Sequence, residues 1–338
     1  MHLGESKVDR DIQAIGLFSG GLDSILAVRL ILDQGLSVEA MHAILPVHDP
    51  SLLEWVERAT RSSGVPLYTL SLEQEFFDLV RHPRYGYGSG ANPCLDCHIL
   101  ILQKAGQRMR ELGASFVFTG EVLGERPMSQ HREALRLVER QSGLEGRLLR
   151  PLSARLLPPT IPEGEGLVDR SRLLDISGRS RKPQLALVQQ YGIAEYPSPG
   201  GGCRLTDPGF ARRTRDLLTQ QPDFSRNDFD LLKVGRHFRL SPQIRVVSGR
   251  TKEENRRIVE LAQEGDHLLE VQGLGSPVTL LRGPAGAESI PLAAAITARY
   301  SDARTEEVTV HYGTTYPDLV ETVVVRPAGQ ELLDRLRV

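Results

Sequence analysis

A short glycine turn near the start of the chain restricts the fold more than any other part of the sequence. It reads Ser19-Gly20-Gly21-Leu22-Asp23-Ser24. An apolar run at residues 12–18 precedes it and an amphipathic run at residues 25–32 follows, which is the pattern of a strand, a turn and a helix. Adjacent glycines let the backbone approach a ligand closely, and the N–H groups of a helix start favour an anion. The segment therefore predicts a socket for a diphosphate-sized group.

The turn is neither a Walker loop nor the Gly-x-Gly-x-x-Gly turn of dinucleotide folds. Ser-Gly-Gly-x-Asp-Ser after a strand instead resembles the PP-loop of the ATP pyrophosphatases, the adenine nucleotide alpha hydrolase superfamily. Members of that superfamily split ATP into AMP and pyrophosphate and use AMP to activate an oxygen. The resemblance implies that Asp23 holds Mg²⁺ or fixes the loop. The residues that it assigns to ATP binding are Ser19, Gly20, Gly21, Asp23 and Ser24.

Charge and hydropathy exclude several classes of protein. The net charge of the 338 residues is −2, so a nucleic-acid surface requires local clustering of basic side chains. The first 13 residues are polar and carry both charge signs, unlike a signal peptide, and no apolar run reaches the roughly 20 residues of a membrane span. Three cysteines without a secretion signal indicate a reducing compartment, and we expect the cytoplasm.

The order of strand-like and helix-like segments predicts the architecture. Up to residue 119 they alternate, which is typical of a doubly wound α/β sheet with parallel strands. Composition shifts at residues 221–227, and beyond them several short strands and two helices predict a smaller α+β domain. We therefore expect a PP-loop domain at residues 1–220 and a second domain at residues 228–338.

The cysteines form a Cys-x-x-Cys pair, Cys94 and Cys97, and a distant third, Cys203, beside the predicted glycine loop at 199–202. Several chemistries fit this set. With His98 the pair spells a c-type haem attachment sequence, and a fourth ligand would complete a structural zinc site. The three thiols would also support a persulfide and disulfide cycle. The favoured interpretation is a [4Fe-4S] cluster held by all three cysteines, with one iron left open for hydrosulfide.

Further motifs are similar to those of the tRNA thiouridine synthetases, both the 4-thiouridine synthetases and the tRNA 2-thiouridylases. The matching segments are Thr119-Gly120-Glu121-Val122-Leu123-Gly124, then Ser129-Gln130 and Arg150-Pro151-Leu152. The resemblance implies that Cys94, Cys97, Cys203 and Asp23 are catalytic. It also implies a nucleotide pocket to which Met41 and His42, at the end of the second strand, contribute backbone contacts with adenine. Its other expected lining residues are Gly120, Glu121, Ser129 and Gln130.

Basic side chains crowd between residues 170 and 257, as a phosphate-binding surface requires. Two segments, Val247-Ser248-Gly249-Arg250 and the Ala-rich run at 293–304, resemble segments of the RNA-binding R domain of NFACT proteins. The resemblance covers residues 230–315. With no N-terminal RNA-binding extension expected, RNA contact would fall to this domain. The crowded residues are Arg170, Arg172, Arg179, Arg181, Lys182, Arg204, Arg212, Arg213, Arg215, Arg236, Arg239, Arg245, Arg250, Arg256 and Arg257.

The sequence thus predicts a tRNA sulfurtransferase that adenylates a uridine carbonyl oxygen and replaces it with sulfur, with 4-thiouridine as the favoured product. The expected cofactors are ATP, Mg²⁺ and the [4Fe-4S] cluster. The expected partners are tRNA, sulfide or a sulfur-carrier protein, and a second copy of the chain, but no membrane. Two rival hypotheses are a PP-loop ligase or sulfur-inserting enzyme that acts on a small molecule, and a non-catalytic RNA-binding protein that senses ATP.

Overall fold

The computed structural model describes residues 11–197 and 203–338. The chain divides into two compact units, Met1–Arg204 and Leu205–Val338. Residues 199–202 of the predicted glycine loop lie outside the described residues, whereas Cys203 lies within them.

The first unit is built on a five-stranded sheet with the order β3-β2-β1-β4-β5, and all of its strands are parallel. This is the predicted α/β architecture. Its elements, in chain order, are β1 (Ala14–Leu17), α1 (Leu22–Leu32), β2 (Val38–Ile44), α2 (Ser51–Ser62), β3 (Leu67–Ser71), α3 (Glu73–Arg81), α4 (Cys94–Glu111), β4 (Phe116–Phe118), α5 (Arg132–Gln141), β5 (Leu148–Leu149), α6 (Ile161–Gly164) and α7 (Lys182–Tyr191).

Burial explains why the first strands read as continuous apolar runs. Ala14, Ile15 and Phe116 are fully buried because helices cover both faces of the sheet. Gly16 leaves room for the ring of Phe118 on the neighbouring strand, since a Cβ there would lie 2.5 Å from that ring. The core therefore fixes β1 against β4, and this pairing brings together the loops that follow the two strands.

The second unit contains a six-stranded antiparallel sheet with the order β11-β10-β8-β9-β7-β6. Helix α11 packs on it through Ala293, Ala294 and Ile296, all fully buried. This is the predicted α+β domain. Its elements are α8 (Pro208–Gln220), α9 (Arg226–Leu231), β6 (Arg236–Ser241), β7 (Ile244–Ser248), α10 (Lys252–Leu261), β8 (His267–Glu270), β9 (Thr279–Arg282), α11 (Ser289–Arg299), β10 (Val308–Gly313), β11 (Glu321–Val325) and α12 (Gln330–Leu336).

Helix α8 belongs to the second unit. The sequence predicts a boundary after residue 220, which would assign this helix to the first domain. The Phe210 ring meets the Phe229 ring edge-on at 5.7 Å between centroids. Asp216 accepts two hydrogen bonds from Arg239 on β6. These contacts tie the helix to the second sheet, so the unit begins at Leu205 and not near residue 228.

Within the described ranges, no helix combines the length and the apolar character needed to cross a membrane.

Candidate active site

The glycine turn has the strand–turn–helix geometry that its sequence predicts. It connects β1 to α1, and the helix begins at Leu22, directly after Gly21. Gly20 adopts a φ of +79°, where a side chain would be strained, and its carbonyl accepts a hydrogen bond from the Trp55 indole at 2.8 Å. The Ser24 hydroxyl, which is buried, donates to the Gly21 carbonyl at 2.7 Å. The turn is therefore held open by contacts from α1 and α2.

The loop after β4 closes against this turn at Gly120. A Cβ added to Gly120 would lie 2.5 Å from the backbone of both Asp23 and Ser24, so glycine alone permits this approach. Because β1 and β4 are adjacent parallel strands, both loops lie at the same edge of the sheet. The structure thus brings Ser19–Ser24 and Thr119–Gly124 together, as the sequence predicts.

Replacement of Gly120 by alanine is expected to separate the two loops. The added methyl overlaps helix backbone that cannot rotate away, so we expect a loss of stability of about 1–3 kcal/mol. We also expect binding of a non-hydrolysable ATP analogue to weaken by at least about tenfold, measured by calorimetry. Gly164→Ala is the matched control, since a Cβ there meets nothing within 4 Å. Equal affinity in the Gly120 variant and the wild type would contradict this account of the joint.

Asp23 lies at the centre of a group of unsatisfied buried polar atoms. Its Oδ2 is 3.5 Å from the Arg181 guanidinium on the approach to α7, and its Oδ1 is buried without a hydrogen bond. Burial raises the pKa of Asp23, and Arg181 and Gln184 offset part of that rise. Both polar atoms of the fully buried Gln184 also lack partners. Unsatisfied buried polar atoms are costly, so this group suits a polar ligand such as a nucleotide or its metal ion.

The sequence pattern gives no sign of Gln184 and indicates for Arg181 only an RNA surface. Both residues lie about 160 positions from Asp23, and no local pattern around them indicates a nucleotide site. In the structure the Arg181 guanidinium lies beside the Asp23 carboxylate of the glycine turn.

A buried ion-pair network follows the loop of β4. Glu121 accepts hydrogen bonds from Thr119 Oγ1 at 3.1 Å and from Arg150 Nε at 3.0 Å, and its other oxygen contacts His98 Nδ1 at 3.1 Å. Arg150, whose side chain is 3% exposed, also contacts Glu139. Burial alone would raise the pKa of Glu121, but Arg150 and His98 outweigh it and hold that pKa at about 2. Glu121 is therefore an anion that orients its neighbours.

This network reaches the cysteines through His98. Helix α4 begins at Cys94, so both thiols of the Cys-x-x-Cys pair lie on its first turn and face the same side. Burial alone would lower the pKa of His98, but hydrogen bonds to Cys94 and Glu121 raise it to about 10. His98 and Ser129 in turn lower the pKa of the Cys94 thiol against the effect of burial. Cys94 is thus the thiol of the pair that the surroundings favour as thiolate.

Cys203 lies in the same neighbourhood. Burial raises the pKa of the Cys97 thiol, and the charges of Cys203 and Cys94 raise it further. No disulfide joins them. Outside residues 1–10 and 198–202, no group of three or more His, Cys, Asp or Glu is arranged around one metal ion. Three thiolates suit a [4Fe-4S] cluster, in which each binds a separate iron, better than a single zinc ion.

The structure gives the surroundings of four of the predicted nucleotide-pocket residues. Met41 and His42 lie inside β2 and not at its end, which corrects the sequence interpretation. Their side chains are buried, and the Met41 carbonyl already accepts from Phe18 N at 2.8 Å. Gln130 holds the loop of β4 closed, since its side chain accepts from Arg126 N at 3.0 Å. Ser129 is buried beside Cys94, at the thiol end of the site.

Several arginines of the predicted RNA surface are already engaged in ion pairs. On α10, Arg256 and Arg257 pair with Glu253 and Glu260, both at 2.8 Å. In the interior of the second unit, Arg245 pairs with Asp228 at 2.6 Å. Arginines paired in this way contribute less to phosphate binding, so crowding in the sequence overestimates this surface.

Two family models match separate parts of the chain. Residues 11–155 match the family described as thiamine biosynthesis protein (ThiI), and residues 235–337 match the NFACT protein RNA binding domain. A curated relative, the tRNA-specific 2-thiouridylase MnmA of Bartonella quintana (strain Toulouse), is 28% identical over 133 residues. That match covers 35% of this chain and 33% of the relative, so the chain spans about one third of its length.

Three solved structures show remote likeness. A 4-thiouridine synthetase–RNA complex with bound ATP is 18% identical with a TM-score of 0.39, over 64% of this chain and 53% of that one. A predicted tRNA methyltransferase subunit from Methanocaldococcus jannaschii is 15% identical, with a TM-score of 0.38 over 64% and 91% of the two chains. The C-terminal part of a fibronectin/fibrinogen-binding protein from Streptococcus suis is 11% identical, with a TM-score of 0.28 over 47% and 79%.

The family matches confirm both resemblances predicted from the sequence. The thiouridine-synthetase-like part of the chain is similar to the ThiI family over residues 11–155, and the second unit is similar to the NFACT RNA-binding domain over residues 235–337.

Proposed function

We propose that this chain is an ATP-dependent tRNA sulfurtransferase that converts a uridine to thiouridine, with 4-thiouridine as the favoured product. The observation that carries the proposal is the continuous connection between socket and thiols at one edge of one sheet. Gly120 packs on the backbone of Asp23 and Ser24, and the adjoining Glu121 contacts His98, which lies one turn of α4 after Cys94. A phosphate socket joined to reactive sulfur suits activation of an oxygen followed by its replacement.

The first step activates the uracil oxygen. A carbonyl oxygen is a poor leaving group, so we propose that the uridine oxygen attacks the α-phosphorus of ATP and expels pyrophosphate. The N–H groups of the Ser19–Ser24 turn would stabilise the departing charge. The unsatisfied Asp23 Oδ1 would hold Mg²⁺ beside it. Arg181, which lies 3.5 Å from the same carboxylate, would limit the negative charge at the socket.

The second step replaces the activated oxygen. Hydrosulfide attacks the uracil carbon, and AMP leaves with the former carbonyl oxygen. The sum of both steps, uridine, ATP and hydrosulfide giving thiouridine, AMP and pyrophosphate, is redox-neutral. When bound to Cys94, Cys97 and Cys203, a [4Fe-4S] cluster would supply hydrosulfide at its open iron. His98 and Glu121 would keep Cys94 oriented as a thiolate ligand.

The remaining parts of the proposal concern partners and compartment. We propose that tRNA is the acceptor, with the NFACT-type domain as one of its contacts, and that free sulfide or a sulfur-carrier protein delivers sulfur. A homodimer and a cytoplasmic location complete the proposal. A reducing compartment agrees with three thiols among which no disulfide forms.

A second candidate is sulfur transfer to a small molecule, since the ThiI family is described as a family of thiamine biosynthesis proteins. The same socket and thiols would serve that reaction, because only the acceptor differs. The match of residues 235–337 to the NFACT RNA binding domain favours RNA, so tRNA remains the first choice.

The deciding experiment is nucleoside mass spectrometry of unmodified tRNA incubated anaerobically with the protein, ATP, Mg²⁺ and sulfide. We expect a thiouridine peak that requires ATP, and its retention time distinguishes replacement of O2 from replacement of O4. A reaction without ATP is the control. AMP formation that tRNA does not stimulate, together with no thiouridine, would favour the small-molecule acceptor.

A further inference from the structure

Helix α5 presents a row of three arginines to solvent. Arg132, Arg136 and Arg140 are exposed and follow one another at intervals of four residues, so they lie along one side of the helix. We call them the arginine ridge. Each interval advances about 6 Å along the axis, which is close to the spacing of successive phosphates on a nucleic-acid strand. The opposite side of α5 is buried through Ala134, Leu135 and Val138.

The positive charge of the ridge is only partly compensated. Across residues 11–197 and 203–338, no ion pair joins any of the three guanidinium groups to an acid. Arg132 donates to the neutral Leu156 carbonyl at 3.0 Å, which holds its guanidinium in place. Of the neighbouring acids, Glu139 contacts Arg150 at 3.1 Å and Glu163 contacts Arg170 at 2.6 Å. Glu133 contacts His131 at 2.9 Å, and the charge of Arg136 also helps to lower the pKa of Glu133. The ridge therefore differs from the ion-paired arginines of α10.

A cavity of about 280 Å³ opens along the ridge. All three ridge arginines line it, together with Gly146, Pro159 and Thr160. Three carboxylates, Glu139, Glu145 and Glu163, also line it. Buried leucines of α5 and β5 form an apolar floor beneath the guanidinium groups. A cationic rim above an apolar floor suits a sugar or base attached to a phosphate chain.

The cavity lies next to the proposed active site. Helix α5 is the crossover between the parallel strands β4 and β5, so it begins at the sheet edge that carries the glycine turn. Arg150 also lines the cavity, and its guanidinium contacts Glu121 at 3.0 Å. Arg150 therefore connects the cavity to the ion-pair network that reaches the cysteines.

We propose that the arginine ridge and its cavity bind the sugar–phosphate backbone of the RNA acceptor where it leaves the active site. The inference rests on the proposed function and names a contact surface for its substrate in the first unit. It adds to the contacts expected from the NFACT-type domain.

The test measures binding of unmodified tRNA to the full chain as a function of salt concentration. In the variant R132Q/R136Q/R140Q we expect affinity at low salt to fall by about tenfold or more, and the slope of log K against log salt to decrease by about 2–3. The matched control R58Q/R61Q/R110Q removes the same charge from exposed arginines on α2 and α4. We expect it to keep the wild-type slope, and R132K/R136K/R140K to keep most of it. Thermal melting checks that each variant folds.

The outcomes separate this inference from the proposed function. Wild-type protein that forms thiouridine while the ridge and control variants bind tRNA equally well would overturn the ridge alone. A ridge variant with unchanged tRNA binding but lost binding to an acidic sulfur-carrier protein would assign the surface to that partner and overturn the RNA contact. Wild-type protein that neither binds nor thiolates tRNA would overturn both proposals.

Discussion

Replacement of Cys203 by serine is expected to abolish thiouridine formation while ATP binding stays near the wild-type level. Cys203 is close enough to Cys97 for its charge to raise the pKa of that thiol, so the serine variant removes one of three neighbouring sulfurs. The socket residues Ser19–Ser24 lie on a separate loop and keep their contacts. Thiouridine would be measured by nucleoside mass spectrometry, and ATP binding by calorimetry.

A variant of the socket provides the complementary control. Ser24→Ala removes a buried hydroxyl that donates to the Gly21 carbonyl at 2.7 Å, and it leaves all three thiols in place. We expect it to lose ATP binding while the three cysteines still react with an alkylating reagent as in the wild type. Full thiolation activity in Cys203→Ser would refute any mechanism in which this cysteine carries or binds sulfur.

Strong local patterns made much of the fold predictable. The glycine turn predicted the strand, the turn and the helix, and the apolar runs predicted the parallel sheet, because both signals depend on neighbouring residues alone. The Ser24 hydroxyl and the N–H groups at the start of α1 lie where that turn requires them. The general rule that parallel strands end at one edge also predicts that the loops after β1 and β4 lie on the same side of the sheet.

Contacts between distant segments were not predictable in the same way. Residue order does not state that β1 pairs with β4, and the contact between His98 and Glu121 depends on that pairing. The position of Gln184 beside Asp23 depends on how α7 packs on α1. Helix α5 is not evident from the sequence pattern, because charged residues interrupt its apolar positions. Its buried residues Ala134, Leu135 and Val138 nevertheless follow a helical period.

Exchange of Glu121 for glutamine should affect both the stability of the first unit and its proposed chemistry. Glu121 and Glu139 both contact the buried Arg150. The variant removes the carboxylate of Glu121, which also contacts His98. Since Glu139 still compensates Arg150, we expect a loss of about 1.5–3 kcal/mol in the free energy of unfolding, measured with urea. Thiolation should fall about 10- to 100-fold, as for other residues that orient a ligand, while ATP binding persists.

Glu139→Gln is the matched control, because Glu139 contacts Arg150 but not His98. Its side chain is 23% exposed, so we expect a smaller loss of stability, about 1 kcal/mol, and thiolation within a few-fold of the wild type. Equal thiolation in the two variants would show that Glu121 serves the fold alone. A rate of Cys94 alkylation that changes only in Glu121→Gln would support its positioning role.

The pH dependence of stability provides an independent measure of the same carboxylate. The folded-state pKa of Glu121, about 2, lies below its ordinary value of 4.5, so the anion contributes stability that is fully present above pH 4.5. That contribution is lost as the pH falls from 4.5 towards 2, since the unfolded chain binds the proton first. The wild type should therefore lose its advantage over Glu121→Gln within this window, as urea unfolding at several pH values would show. A stability difference that stays constant down to pH 2 would mean that the charge of Glu121 does not stabilise the fold, and that the glutamine acts only through altered packing.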